Sequence, residues 1–154
     1  MILLRFAQQE DSDIVLRWRN DEQTRLNSFS TDLITKEEHE TWFAKSLRNP
    51  RCNIFIAVQE DGSRLGVVRF DRRDKSAEIS ITVAPSCRGK GIGKQIIKRA
   101  CVEYFQNFDC DNIIAKIKKT NVPSLKIFHD LGFITISEED NCLITKLDKN
   151  AVRD

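Results

Sequence analysis

The chain has 154 residues, with 25 lysines and arginines against 23 aspartates and glutamates, for a formal net charge of +2. That length predicts one domain over residues 1–154, and 40% apolar with 31% charged residues predicts a folded, water-compatible chain rather than a disordered one. The near-cancelling charges argue against a strongly basic nucleic-acid binder, and no apolar run approaches the roughly 20 residues of a membrane span.

Ile2–Phe6 reads as a short first strand, and Asp11–Arg19 as a helix with Asp11 at its N-cap and Ile14, Val15 and Trp18 at helical spacing. Residues 20–33 show no period and read as a long connection. Thr35 and Glu38 have the spacing of a capping box and open a second helix, which carries Trp42, Phe43 and Leu47 and stops at Asn49-Pro50. Ile54–Gln59, Leu65–Asp71 and Ala77–Val83 alternate as three strands of an antiparallel meander. A glycine-rich basic loop, Pro85–Gly93, leads into a long helix, Ile92–Phe108. A strand at Asn112–Ile117 and a helix at Pro123–Leu131 follow, the helix ending at Gly132. Strands at Phe133–Ser137 and Cys142–Leu147 close the chain, giving the order β-α-α-β-β-β-α-β-α-β-β and an α+β fold.

Met1-Ile2-Leu3-Leu4-Arg5 lacks the basic start and long apolar core of a signal peptide. Cys52, Cys87, Cys101, Cys110 and Cys142 are odd in number and widely spaced. They predict free thiols, no metal site and a reducing, cytoplasmic location.

The segment Arg88-Gly89-Lys90-Gly91-Ile92-Gly93-Lys94 lies between a strand and a long helix. Glycines let the backbone approach a ligand closely, and the free amides at the start of the helix favour an anion such as phosphate. A Walker loop fails, since Arg88 stands where its first glycine belongs and Gln95 where it needs Ser or Thr. The dinucleotide pattern fails at Lys94.

What fits is Arg88-x-x-Gly91-x-Gly93, which resembles the acyl-CoA pyrophosphate signature of the GNAT superfamily of N-acetyltransferases. Asn121-x-x-Ser124-x-x-x-Phe128-x-x-x-Gly132-Phe133 is similar to the second motif of that family. The resemblance implies a GNAT fold, with a mostly antiparallel sheet splayed at the acyl-CoA site, and acetyl-CoA as cosubstrate. It further implies that the amides of Arg88, Gly89, Lys90, Gly91, Ile92, Gly93 and Lys94 hold the pyrophosphate. The main chain of Ile81 and Val83 would pair with the pantetheine arm, and the Val83 amide would polarise the thioester carbonyl. Asn121, Ser124 and Phe128 would border the arm, and Lys90, Lys94 or Lys119 would meet the 3′-phosphate. Phe128 stands where the family often carries a tyrosine acid, and the only tyrosine, Tyr104, falls inside the long helix.

The chemistry so implied is attack of a neutral amine on the thioester. A lysine-like amine has a pKa of about 10.4, so it needs a base. Glu78 alternates with Ser80 and Thr82 on one polar strand face and is the candidate base. Cys87 has no basic partner in the sequence pattern that would make it a nucleophile.

Trp18-Arg19-Asn20-Asp21, Arg25, Ser28, Ile34, Glu38-His39, Trp42-Phe43 and Val67-Val68-Arg69-Phe70 resemble the branch that includes the amino-sugar N-acetyltransferase of pseudaminic acid biosynthesis. That resemblance implies a nucleotide-linked amino-deoxy sugar as acceptor, with Trp18, Arg19, Asn20, Arg25 and His39 as substrate contacts. A protein N-terminus or other small amine, or a non-catalytic acyl-CoA-binding module, remain alternatives. The partners expected are small molecules, not nucleic acid or membrane, with the chain a monomer or homodimer.

Overall fold

A computed structural model describes residues 1–152; the last two residues of the expected domain span lie outside the described residues. The alternating segments form strands β1 (Leu3–Phe6), β2 (Cys52–Val58), β3 (Arg64–Arg73), β4 (Ser76–Val83), β5 (Asn112–Lys118), β6 (Ile134–Glu138) and β7 (Cys142–Asp148). The helices are α1 (Ser12–Asn20), α2 (Glu22–Leu26), α3 (Lys36–Arg48), α4 (Ile92–Asn107) and α5 (Val122–Asp130). The seven strands make one sheet in the order β1-β2-β3-β4-β5-β7-β6. Every neighbouring pair is antiparallel except β4 with β5. This is the expected mixed α+β sheet, with one helix more than the sequence pattern predicts.

That extra helix is α2, inside the expected long connection. Five residues carry too little period to register as a helix in the sequence. Local bonds hold it instead: Asp21 accepts from the Thr24 amide at 3.2 Å, and Ser28 Oγ donates to the Thr24 carbonyl at 2.7 Å. Asp11 also departs from expectation. It precedes α1 but makes no cap bond there. Its carboxylate instead accepts from the Gln8 amide at 2.8 Å and from the guanidinium groups of Arg5 and Arg64 at 2.8 and 3.3 Å. The capping box at α3 forms by half: Thr35 Oγ1 accepts from the Glu38 amide at 3.1 Å, and no return bond from Glu38 accompanies it.

Helices cover both faces of the sheet. On one face, Ile96, Ile97, Ala100 and Phe105 of α4, with Phe128 of α5, bury against Val68, Phe70, Ala77 and Ile113. Tyr104 stacks between Phe70 and Phe108, with ring centroids 4.0 and 4.4 Å away. On the other face, Val15 and Trp18 of α1 and Phe43 of α3 bury against Ile54, Ile56 and Val67. α5 ends in paired bonds from the Gly132 amide to the His129 carbonyl and from the Phe133 amide to the Phe128 carbonyl, at 3.0 and 3.1 Å. Gly132 has φ +102°, the left-handed conformation that the sequence assigned to a glycine.

Candidate active site

β4 and β5 pair only through Ser76–Asn112, Ala77–Ile113 and Glu78–Ile114. Beyond Glu78 both strands continue, β4 held by β3 as far as Val83 and β5 by β7 as far as Lys118, and they diverge. The parting leaves a cleft of about 370 Å³ lined by Glu78, Ser80, Thr82, Lys116, Lys118, Ser124 and Phe128. The connection from α2 to α3 roofs it with Ser28, Phe29, Ser30 and Asp32.

Strand alternation decides which backbone groups face the gap. The Ala84 amide donates to the Leu65 carbonyl on β3 at 2.8 Å. Thr82 therefore also turns its backbone polar groups to β3, and Ile81 and Val83 turn theirs towards the gap. These are the two residues whose main chain the sequence resemblance pointed to. The glycine loop follows at once. Gly89 and Gly91 have φ +75° and +74°, and Gly91 immediately precedes α4. Among the described residues no backbone acceptor takes the amides of residues 89–94, so they form a nest of free donors at a helix start. At Gly93 a Cβ would lie 3.4 Å from Val83 Cγ2, at van der Waals contact with the end of β4.

Charged side chains near the loop are largely engaged. Arg88 reaches Asp21 and donates to Thr24 Oγ1 at 2.7 Å, which ties the loop to the start of α2. The Arg88 guanidinium holds the Asp21 carboxyl below the usual carboxylate range. Lys94 pairs with Asp130 at 3.6 Å, and Lys119 with Glu138 at 2.5 Å; Lys90 is exposed. Asn121 caps α5, its side chain accepting from the Ser124 amide at 3.4 Å.

Glu78 stands where the strands part, with its carboxylate 3.6 Å from Lys116 Nζ. Phe128 is buried, edge-on to Phe133 at 4.9 Å, and has no proton to give. Tyr104 lies in the core with its hydroxyl donating to Asn53 Oδ1 at 3.3 Å, and burial pushes its pKa up to about 12. Neither side chain supplies an acid.

Of the five expected acceptor contacts, only Arg19 lines the cleft. Trp18 is 5% exposed and fills the core between α1 and the sheet. His39 is fully buried, stacked 5.4 Å from Phe43. Their helical spacing marks a face without saying whether that face meets ligand or core. Asn20 donates to the Ile34 carbonyl and accepts from the Ile34 amide, both at 2.8 Å. Arg25 donates to the carbonyls of Asn20 and Thr31 at 3.1 and 3.0 Å. These two shape the cleft roof rather than its lining. Of the roof residues, Ser28 belongs to the motif resemblance, whereas Ser30 and Asp32 carry no motif or period and were not predicted. Arg69 was part of the motif resemblance but not assigned a contact, and Lys116 and Lys118 were visible only as polar positions of an alternating strand.

A split sheet with free inner edges, followed by a nest of amides, is the architecture that decides the family. The model of the acetyltransferase (GNAT) domain matches residues 1–134. The chain belongs to the GNAT acetyltransferase family. It is an acetyl-CoA-dependent N-acetyltransferase. A Bacillus subtilis (strain 168) protein provisionally named as the phosphinothricin acetyltransferase YwnH is 28% identical over 137 residues, covering 84% of this chain and 82% of its own. The acetyltransferase PseH of Campylobacter jejuni is 29% identical over 134 residues, covering 85% and 81%. The spermidine N-acetyltransferase of Vibrio cholerae, solved with CoA and spermine, shares the fold at TM-score 0.87 and 18% identity, covering 97% of this chain and 96% of that one.

In this GNAT chain the neutral form of His39 is built into the core behind Arg19. Burial, reinforced by the Arg19 guanidinium, pushes His39 below its ordinary value of 6.5, against the pull of Asp13 and Glu40. The unfolded chain takes up this proton near 6.5 and the folded chain resists it. Stability from this residue is therefore complete above pH 6.5 and declines as the pH falls below it, by at most about 1.4 kcal/mol per pH unit. Thermal melts between pH 7.5 and 5.5 should show that slope, and His39→Gln should flatten it; an equal slope in the variant would remove His39 as its source.

Proposed function

We propose that this acetyltransferase acetylates the primary amine of an acceptor that also carries negative charge, a nucleotide-linked amino-deoxy sugar. The observation that carries this reading is the charge of the cleft. Arg19, Arg69, Lys116 and Lys118 line it against Glu78 and Asp32. Each extra like charge brought to about 4 Å costs about 1 kcal/mol in water, and more where solvent is partly excluded. A polyamine meets that cost and a diphosphate gains from it. The motif resemblance to the pseudaminic acid branch supports the sugar, as does the relative PseH at 29% identity. Phe29, 55% exposed at the cleft roof, offers a flat apolar face to a base. An acidic amino-acid-like amine of the phosphinothricin type is the second reading, since the same cations suit a carboxylate and a phosphinate.

In this reading the amides of residues 89–94 bind the pyrophosphate of acetyl-CoA, and the main chain of Ile81 and Val83 pairs with its pantetheine arm. Asn121, Ser124 and Phe128 border the arm from α5. Glu78, oriented by Lys116, takes the proton from the acceptor ammonium directly or through water. The amine nitrogen bonds to the acetyl carbon, the carbon–sulfur bond breaks, and the second proton of the nitrogen passes to solvent or to the released sulfur. The thiol formed has an ordinary pKa of about 8.5, so thiolate leaves near neutral pH without a dedicated acid. Positioning by the split strands and polarisation by the Val83 amide supply the rest. The single domain over 1–154 is part of the same proposal.

The acceptor is tested by mass spectrometry of parallel reactions with acetyl-CoA and a UDP-4-amino-4,6-dideoxy sugar, phosphinothricin, an N-terminal peptide or spermidine. The expected result is the mass gain of one acetyl group on the sugar nucleotide. Acetylation of spermidine or the peptide alone would overturn the anionic acceptor.

Glu78→Gln is expected to lower kcat by about 10²–10⁴ with acetyl-CoA affinity unchanged. An unchanged pH–rate profile would eliminate Glu78 as the base. Gly91→Val places a branched side chain at φ +74°, where a Cβ meets nothing within 4 Å. The fold is expected to survive the strain, about 1–2 kcal/mol, while calorimetric affinity for acetyl-CoA falls more than about tenfold. Normal affinity would sink the loop assignment.

A further inference from the structure

We infer that Arg19 and Arg69, mounted together on the Trp42 ring, form the subsite that grips the anionic group of the acceptor, with Arg69 its specificity-determining residue. The inference rests on the anionic-acceptor reading and gives it an address. The Arg19 guanidinium carbon lies 4.5 Å from the centroid of the Trp42 ring, and that of Arg69 lies 5.3 Å from the same centroid. Both arginines line the cleft beside Glu78 and Ser80. One indole thus supports two cations, although they repel each other.

Their own partners do not neutralise them. Among the described residues Arg19 has no carboxylate within ion-pair distance. Its one hydrogen bond runs from Nη1 to His39 Nδ1 at 3.0 Å, leaving Nε and Nη2 without a protein acceptor. His39 is buried beneath it and accepts this bond only as the neutral ring, so it orients Arg19 without balancing its charge. Arg69 spends Nε on Asp71 at 2.8 Å and reaches Ser80 Oγ with Nη2 at 3.3 Å, which leaves Nη1 unused. Two guanidinium groups therefore meet one carboxylate. Contact with an aromatic face returns less than a charge-assisted pair of hydrogen bonds to an anion provides.

The position of the pair decides which anion. In the β3–β4 register Arg69 lies opposite Ser80, near the closed end of the split, and the glycine loop begins beyond Val83 at the other end. The pair is thus set apart from the amides that suit the CoA pyrophosphate and lies on the polar strand face with Glu78. An acceptor held there by a phosphate or carboxylate has its amine on the side of the candidate base. Planar guanidinium forks read such groups through paired N–H···O bonds, which a lysine reproduces only as a point charge.

The test is steady-state kinetics of the wild type, Arg69→Gln, Arg69→Lys and Arg19→Gln with the UDP-4-amino sugar, and with phosphinothricin if that is the anionic acceptor acetylated. Arg69→Gln is expected to raise the acceptor KM about 10- to 100-fold, with acetyl-CoA KM and kcat at saturating acceptor within about twofold. Arg69→Lys should fall between, and raising the salt should erode the wild-type advantage. Arg19→Gln loosens the His39 contact, so its effect counts only if its melting temperature stays near that of the wild type. An unchanged acceptor KM in Arg69→Gln, with the wild type active on an anionic acceptor, would overturn the subsite and leave the proposed function standing. A wild type active only on spermidine or the peptide would overturn both.

Discussion

The site depends on the failure of two neighbouring strands to stay paired. β4 and β5 share three residue pairs and then separate, while their outer edges remain bonded to β3 and β7. Each internal hydrogen bond forgone is worth a net 0.5–1.5 kcal/mol or so, and a free strand edge in mid-sheet invites an extended partner. Pairing on the outer edges fixes the inner ones, so the gap is preformed. A chain-like ligand with amide groups can then complete the sheet as an added strand would. The alternation that turns Ile81 and Val83 into the gap also places Glu78, Ser80 and Thr82 on the polar face beside it.

The two halves of the site are joined by Arg88. It extends from the glycine loop to Asp21 and Thr24 at the start of α2, the short helix that opens the cleft roof. Lys118 adds a second tie, donating from the inner edge of β5 to the Leu26 carbonyl at the end of α2 at 3.1 Å. A five-residue helix is marginal by itself. Here it is held at one end by the glycine loop and at the other by a split strand, so loop, roof and sheet edge take their positions from one another.

How far this was legible in the sequence follows from the kind of constraint at each residue. Gly91 and Gly132 adopt positive φ, which few other residues tolerate, so glycine at those places carried definite information. Glu78 was legible because a strand's period of two leaves no choice of face once Ile79 and Ile81 are apolar. Trp18 and His39 were misleading for the opposite reason. An aromatic or imidazole at helical spacing suits a core and a binding face alike, and only the packing of α1 and α3 on Ile54, Ile56 and Val67 decided for the core. The path of the cleft roof was not legible in composition or period, because hydrogen bonds between residues far apart in the chain shape it, such as Asn20 to Ile34; motif resemblance flagged some of its residues without their roles.

Phe128 shows how the site manages without an acid. Its ring packs edge-on to Phe133 within the core cluster that Ile127 and Leu131 of the same segment also join. The position therefore serves the core as much as the cleft, and phenylalanine satisfies the core without requiring a partner for a hydroxyl. The consequence falls on the leaving sulfur. A thiolate released beside buried apolar rings would be poorly solvated, whereas the cleft is open and carries Lys116, Lys118 and Ser124 along its β5 and α5 sides. Lys116 and Lys118 lower the cost of negative charge in the cleft, so a phenylalanine at position 128 and a basic cleft are compatible parts of one site.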